Sequence, residues 1–185
     1  MKEKEVVRLD VPTYRQQRGN TCVPCALKMM LDFANKVLLT ERTRDMQELE
    51  IAEVVKTGIG GTHLYSVSLI DSELGAAVPS LEFIPEYQAH TLDDIKGELS
   101  KGVPVAVWII TSDGTDSYMH AVVVTGYDET PKTITFNDPT WGKPATISQS
   151  EFMSAWEPPG ARMVKVILGR QRMKKLEDYV PREAR

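Results

Sequence analysis

The chain has two cysteines, and both fall in the stretch Gln16-Gln17-Arg18-Gly19-Asn20-Thr21-Cys22-Val23-Pro24-Cys25. A thiol attacks a carbonyl only as the thiolate, and a place at a helix N-terminus favours that anion through the partial positive charge there. The nucleophile also needs an imidazole within hydrogen-bond reach, to complete an ion pair and later to protonate the leaving group. A carboxylate or amide must hold that ring in one tautomer, and donors such as the nucleophile's own N–H and a side-chain amide must receive the developing oxyanion. Two distant segments offer the remaining groups: Met119-His120-Ala121-Val122-Val123-Val124-Thr125-Gly126-Tyr127 and Asn137-Asp138-Pro139-Thr140-Trp141-Gly142.

Particular elements must carry these residues to one place. Val23, Ala26, Leu27, Met30, Leu31, Ala34, Val37 and Leu38 recur at threes and fours, which predicts an amphipathic helix opening at Cys22. Thr21 or Asn20 serves as its N-cap, and Pro24 falls in the first turn, where a missing N–H costs nothing. At about 100° per residue, Cys22 lies on the flank of the apolar stripe and Cys25 nearly opposite it. Further helices are expected over Asp45 to Lys56, capped by Asp45 and Glu48, over Thr62 to Leu74, and from Thr91 to Lys101. Beyond Gly102 the period changes. Val103 to Thr111, His120 to Tyr127, Thr133 to Asn137 and Met163 to Leu168 predict strands, Val6 to Val11 a short strand or arm, and Ser148-Gln149-Ser150-Glu151 a capping box opening a short helix through Trp156. If the strand starting at His120 pairs antiparallel with the one ending at Asp138, both side chains meet at one edge of the sheet. A central helix with its N-terminus on that edge adds Cys22. Helices first and sheet second predicts an α+β domain.

The Gln16-x5-Cys22 spacing, the helix opening at the cysteine, the His-Ala-Val-Val-Val-x-Gly-Tyr strand and the Asn-Asp-Pro-x-x-Gly turn together resemble the papain-like cysteine peptidases related to the double-glycine leader-processing C39 domains of bacteriocin exporters. The resemblance runs from about Val11 to Leu168. It implies a papain-like fold with Cys22 as nucleophile, His120 as general base and acid, Asp138 as the residue orienting the ring, and Gln16 as oxyanion donor, Gln17 being its out-of-register neighbour. Trp141 resembles the aromatic that shields the histidine–carboxylate pair from water. Two features depart from the pattern. The family usually has Gly after the cysteine, so Val23 is expected to narrow substrate approach. The exporters also join this domain to membrane and ATP-hydrolysing parts, so a free-standing peptidase-like domain over residues 1–169 is expected, with a solvated charged tail over 170–185. Its partner is a peptide or protein substrate, and a bacteriocin-export role is not expected.

Two other readings compete. Thr-Cys-Val-Pro-Cys at a helix start is also the pattern of thioredoxin-like thiol-disulfide oxidoreductases. Against it, Pro12 to Asn20 is polar and turn-like where a buried strand is wanted, and it leaves His120 and Asp138 without a role. The second is a catalytically silent, peptide-binding member of the papain-like fold. A zinc site from Cys22, Cys25 and histidines lacks a second pair at ligand spacing, and Gly60-Gly61-Thr62 lacks the Lys-Ser/Thr of a phosphate loop, so neither metal nor cofactor is called for. His63 and His90 read as structural, with nothing pairing with His63, and Trp108 and Trp156 as core or rim aromatics.

Composition bounds these readings. With 185 residues, 42% hydrophobic and 26% charged, the chain is an ordinary globular one. Its net charge of −4 and pI near 5.5 argue against nucleic-acid binding. The longest apolar run, Val103 to Ile110, is far short of the ~20 residues of a spanning helix. The N-terminus mixes charge signs without an apolar stretch after it, so a cytoplasmic location is expected.

Overall fold

Val103 to Ile110 and His120 to Tyr127 are apolar at almost every position, a pattern of strands buried on both faces rather than one. A computed structural model of the chain, which describes residues 5–75, 80–112 and 114–169, folds them in that way. Among the described residues, β1 (Val6–Arg8), β2 (Ser80–Glu86), β3 (Val105–Ser112), β4 (Ser117–Asp128), β5 (Thr133–Asp138), β6 (Lys143–Ser148) and β7 (Met163–Gly169) form one antiparallel sheet. The order is β2-β7-β3-β4-β5-β6, and β1 pairs with the end of β4, just past the start of β3. Ala106, Ala121 and Val123 share a core with α1 (Cys22–Phe33) and α2 (Glu48–Val54). Their neighbours Val105, Val107, Val122 and Val124 share another with α3 (Leu92–Ser100) and α4 (Gln149–Trp156). The sheet is therefore covered by helices on both sides.

The central helix is as expected at its start and different at its end. Of the twelve residues of α1, nine are buried, so the helix is enclosed nearly all round instead of along one stripe. It passes into a π-helical turn, Ala34–Leu38, closed by the Leu39 N–H on the Ala34 carbonyl at 3.0 Å. The capping box read at Ser148/Glu151 forms, with Glu151 N–H on Ser148 Oγ at 3.1 Å, and the helix read from Thr91 opens on another, with Asp94 N–H on Thr91 Oγ1 at 3.3 Å. Among the described residues no helix is long and apolar enough to cross a membrane.

Several elements differ from the sequence reading. α2 is shorter than Asp45 to Lys56, and its capping box uses Gln47 and Glu50, leaving Glu48 inside the helix and Asp45 outside it. Thr62 to Leu74 forms a 3₁₀-helix, Leu64–Ser72, not an α-helix. The hydroxyls of Ser68 and Ser72 bond the carbonyls three residues back, at 3.5 and 2.9 Å, which competes with α-helical pairing. Strand β4 begins at Ser117, three residues before His120, so the histidine lies within the strand. β2 and β6 have no counterpart in the reading. Both lie at sheet edges and contain proline, Pro85 and Pro144, which belongs in strands mainly where its missing N–H faces outward. The tail over 170–185 lies outside the described residues.

Candidate active site

Cys22 is the first residue of α1, and the helix starts with the Cys25 N–H on the Thr21 carbonyl at 3.0 Å. Thr21 holds the N-cap position, one of the two residues expected there, but its side chain makes no capping hydrogen bond. The Thr21 hydroxyl lies instead 2.6 Å from Glu48 Oε1. His120 is buried in β4, opposite Ile109 of β3. Asp138 ends β5, and β4 and β5 pair antiparallel from Val123 and Asn137 onward, which sets His120 beside the turn that follows β5. His120 Nε2 and Asp138 Oδ1 are 2.7 Å apart. The edge meeting drawn from the sequence therefore exists, although His120 reaches it from inside its strand.

The turn after Asp138 is held from within. The Thr140 N–H donates to Asp138 Oδ1 at 2.8 Å, Thr140 Oγ1 lies 3.3 Å from His120 Nε2, and the Gly142 N–H donates to the Asp138 carbonyl at 2.8 Å. Gly142 has φ of +62°, and a Cβ there would stand 2.7 Å from Arg15 Cβ, so both conformation and space require glycine. The same turn holds the loop before Cys22, because the Gln16 N–H donates to the Pro139 carbonyl at 2.8 Å.

The electrostatics follow from these contacts. Burial pushes the Cys22 thiol up, but a hydrogen bond with His120 and the N–H groups of Ala121 and Val23 outweigh it and hold the thiol below its ordinary range. Burial alone lowers the imidazole, yet its bonds to Asp138 and Cys22 raise His120 to about 9. Burial likewise raises Asp138, while the donors His120 and Thr140 bring it below the usual carboxylate range. Because Nε2 is taken by Asp138, Nδ1 is the ring nitrogen left for the sulfur. All three shifts favour the charged forms, a thiolate, an imidazolium and a carboxylate in a row.

The remaining residues singled out in the sequence take various places. Gln16 Nε2 donates to the Arg18 carbonyl at 2.7 Å, and its Oε1 is buried without a partner. Trp141 is 66% exposed. The ring meeting His120 is that of Tyr118, edge-on at 6.4 Å, so Trp141 does not take the shielding place assigned to it. Val23 points into the core at 3% exposure, which removes the ground for thinking that it narrows substrate approach. Cys25 is fully buried, not opposite the apolar stripe, and its thiol lies 3.5 Å from the Tyr14 carbonyl. Burial first, and then the Glu48 carboxylate, push that thiol far above its ordinary range. His63 does have a partner: it stacks on Tyr65 with ring centroids 5.3 Å apart. His90 lies between Glu86 and Asp94, at 3.6 and 3.5 Å. Among the described residues no cluster of three or more His, Cys, Asp or Glu is arranged to hold a metal ion. Sequence reasoning missed Thr140, Tyr118 and Glu48. The first stood within a motif already quoted and Glu48 within an expected capping box, whereas Tyr118 carried no local signal.

Comparison with known proteins agrees with this architecture. The model of a family described as Peptidase_C39 like matches residues 8–163. The peptidase domain of Streptococcus ComA, a bi-functional ABC transporter involved in a quorum sensing pathway, superposes with a TM-score of 0.61 at 20% sequence identity. The match covers 87% of this chain and 99% of that one, and at this identity it establishes the shared papain-like α+β fold. No curated protein matches the chain.

Proposed function

Since the chain belongs to the Peptidase_C39 like family of cysteine peptidase-like proteins, we propose that it hydrolyses a peptide bond through Cys22, His120 and Asp138, with Gln16 assisting. The observation that carries this reading is the buried His120 ring, with a carboxylate 2.7 Å from Nε2 and the Cys22 thiol on its other side. The Cys22 thiolate attacks the scissile carbonyl, and the C–O electron pair moves onto oxygen. The oxyanion is received by the Cys22 N–H at the start of α1 and by the Gln16 amide. His120 then gives its Nδ1 proton to the departing amine as the C–N bond breaks, leaving a thioester on sulfur. Water attacks that thioester, His120 takes the water's proton, and the carboxylic acid leaves with the thiolate restored. Asp138 keeps the ring oriented throughout and stabilises its cationic form.

The substrate is a peptide or protein, met where the start of α1 approaches β4. The test is alkylation by iodoacetamide across pH, with peptide mapping. Selective modification of Cys22 over Cys25, with a midpoint below an ordinary thiol that moves up in His120→Ala, is the expected result. Equal labelling of both cysteines, or a midpoint indifferent to His120→Ala, overturns the proposal.

A further inference from the structure

Beneath the loop leading to Cys22 lies a carboxylate that no step above uses. Glu48 is the first residue of α2 and is 3% exposed. A buried carboxylate is costly unless donors meet it. Two meet the same oxygen: Oε1 accepts the Gln17 N–H at 2.8 Å and the Thr21 hydroxyl at 2.6 Å. The Thr21 oxygen in turn accepts the Arg18 N–H at 3.1 Å. The carboxylate lies where the first residue of α2 meets Thr21, the residue before α1. The segment from Gln17 to Thr21 is thus fastened at both ends to one atom. Gln16, immediately before it, is fastened from the other side through its N–H on Pro139.

We propose that Glu48 is a positioning residue of the site, setting the loop that carries the Gln16 amide against the helix start that carries Cys22. The inference rests on the reading of Cys22 and Gln16 given above. An oxyanion donor works only when aimed at where charge develops, and misplacement by ~1 Å is enough to cost ~10²-fold in rate. Replacing Glu48 by alanine leaves the Gln17 N–H without its acceptor and the Thr21 hydroxyl with only the Arg18 carbonyl, at 2.9 Å within its own loop, and so frees the loop from α2. Glutamine keeps an acceptor oxygen in place.

Two probes separate positioning from mere folding. In acylation by p-nitrophenyl acetate, the Cys22 sulfur bonds to the acetyl carbon, p-nitrophenolate leaves with its electron pair, and an oxyanion forms on the way. Iodoacetamide reacts at a saturated carbon, with loss of iodide and no oxyanion. Glu48→Ala is expected to slow acylation about 10- to 100-fold, while the alkylation rate of Cys22 stays within about twofold and its pH midpoint does not move. Glu48→Gln restores most of the acylation, and adding Glu48→Ala to Gln16→Ala slows it no further. Thr21→Val, which removes one of the two donors, gives an intermediate loss and serves if Glu48→Ala does not fold. If Gln16→Ala slows acylation but Glu48→Ala and Thr21→Val do not, or if both probes slow alike, the positioning role is wrong and the site's reading survives. If Gln16→Ala leaves acylation unchanged, the reading of the site fails, and the role of Glu48 fails with it.

Discussion

Cys22 and Cys25 stand one turn apart on α1, yet the structure gives their thiols opposite chemistry. Around Cys22 the polar groups that act most strongly are donors or a cation: the His120 ring and the N–H groups of Ala121 and Val23. Around Cys25 the Tyr14 carbonyl accepts and the Glu48 carboxylate outweighs the more weakly felt Lys28 cation, inside complete burial. Burial disfavours both thiolates, so it does not separate them. Nor does the helix dipole suffice, because both residues lie in the first turn, where it acts. The sign of the nearest partner decides which sulfur ionises.

The sharpest way to break this comparison is to remove the first sulfur. Cys22→Ala is expected to abolish peptide hydrolysis, a loss of ~10⁴-fold or more, measured as turnover of a peptide library. Wild-type rates in this variant would end the assignment. His120→Ala comes next, since it takes away the group that separates the two thiols. Turnover is expected to fall nearly as far, and the alkylation midpoint of Cys22 to rise to that of an ordinary thiol near 8.5 or higher, because the burial remains. Asp138→Asn leaves the ring present but unsupported in its cationic form, for a loss of about 10²- to 10⁴-fold in kcat.

The pH profile tests the same ion pair without mutation. With His120 raised to about 9, the ring is protonated below that value and loses its proton as pH rises through it. The proton for the leaving amine is then gone, so kcat/KM is expected to fall about tenfold per pH unit above 9. With Cys22 lowered, activity persists below the range of a free thiol and fails only when acid protonates the sulfur. A profile that instead rose steadily through pH 9 would indicate a lone thiol ionising without a charged partner.

Much of this arrangement was legible in the sequence, for identifiable reasons. The start of α1 followed from Pro24 and the apolar period, α3 from Leu92, Ile95 and Leu99 at helical spacing, α4 from its capping box, and the meeting of His120 with Asp138 from two strongly β-forming runs joined by a short turn. These signals are local. The burial of Cys25 was not legible, because a helical wheel assumes one buried face, while α1 is surrounded by α2, the sheet and the segment through Tyr14. Edge strands β2 and β6 were hidden by Pro85 and Pro144, whose tolerance depends on an outer place in the sheet. Glu48 read only as the capping partner of Asp45, since the donors that make its burial possible come from positions 17 and 21, about thirty residues earlier. The loop and the helix it joins are distant in sequence, and no periodicity reports such a pair.

The smallest expected effect belongs to the second sulfur, and it sharpens the comparison most directly. Cys25→Ser puts a hydroxyl in a fully buried position that already has an acceptor at hand in the Tyr14 carbonyl, so the new donor is satisfied. The cost is that of trading a buried sulfur for a smaller, more polar atom, about 1 kcal/mol, or a fall in Tm of about 2–4 °C for a chain of this size. Peptide turnover is expected to stay within about twofold, because nothing in the reaction passes through this thiol. A thiol-disulfide oxidoreductase behaves otherwise: it needs the buried cysteine to resolve the mixed disulfide formed on the exposed one. If Cys25→Ser abolished activity while the parent protein reduced insulin, the two cysteines would act as a pair, and the contrast between their surroundings would describe a redox couple instead of a nucleophile and a bystander.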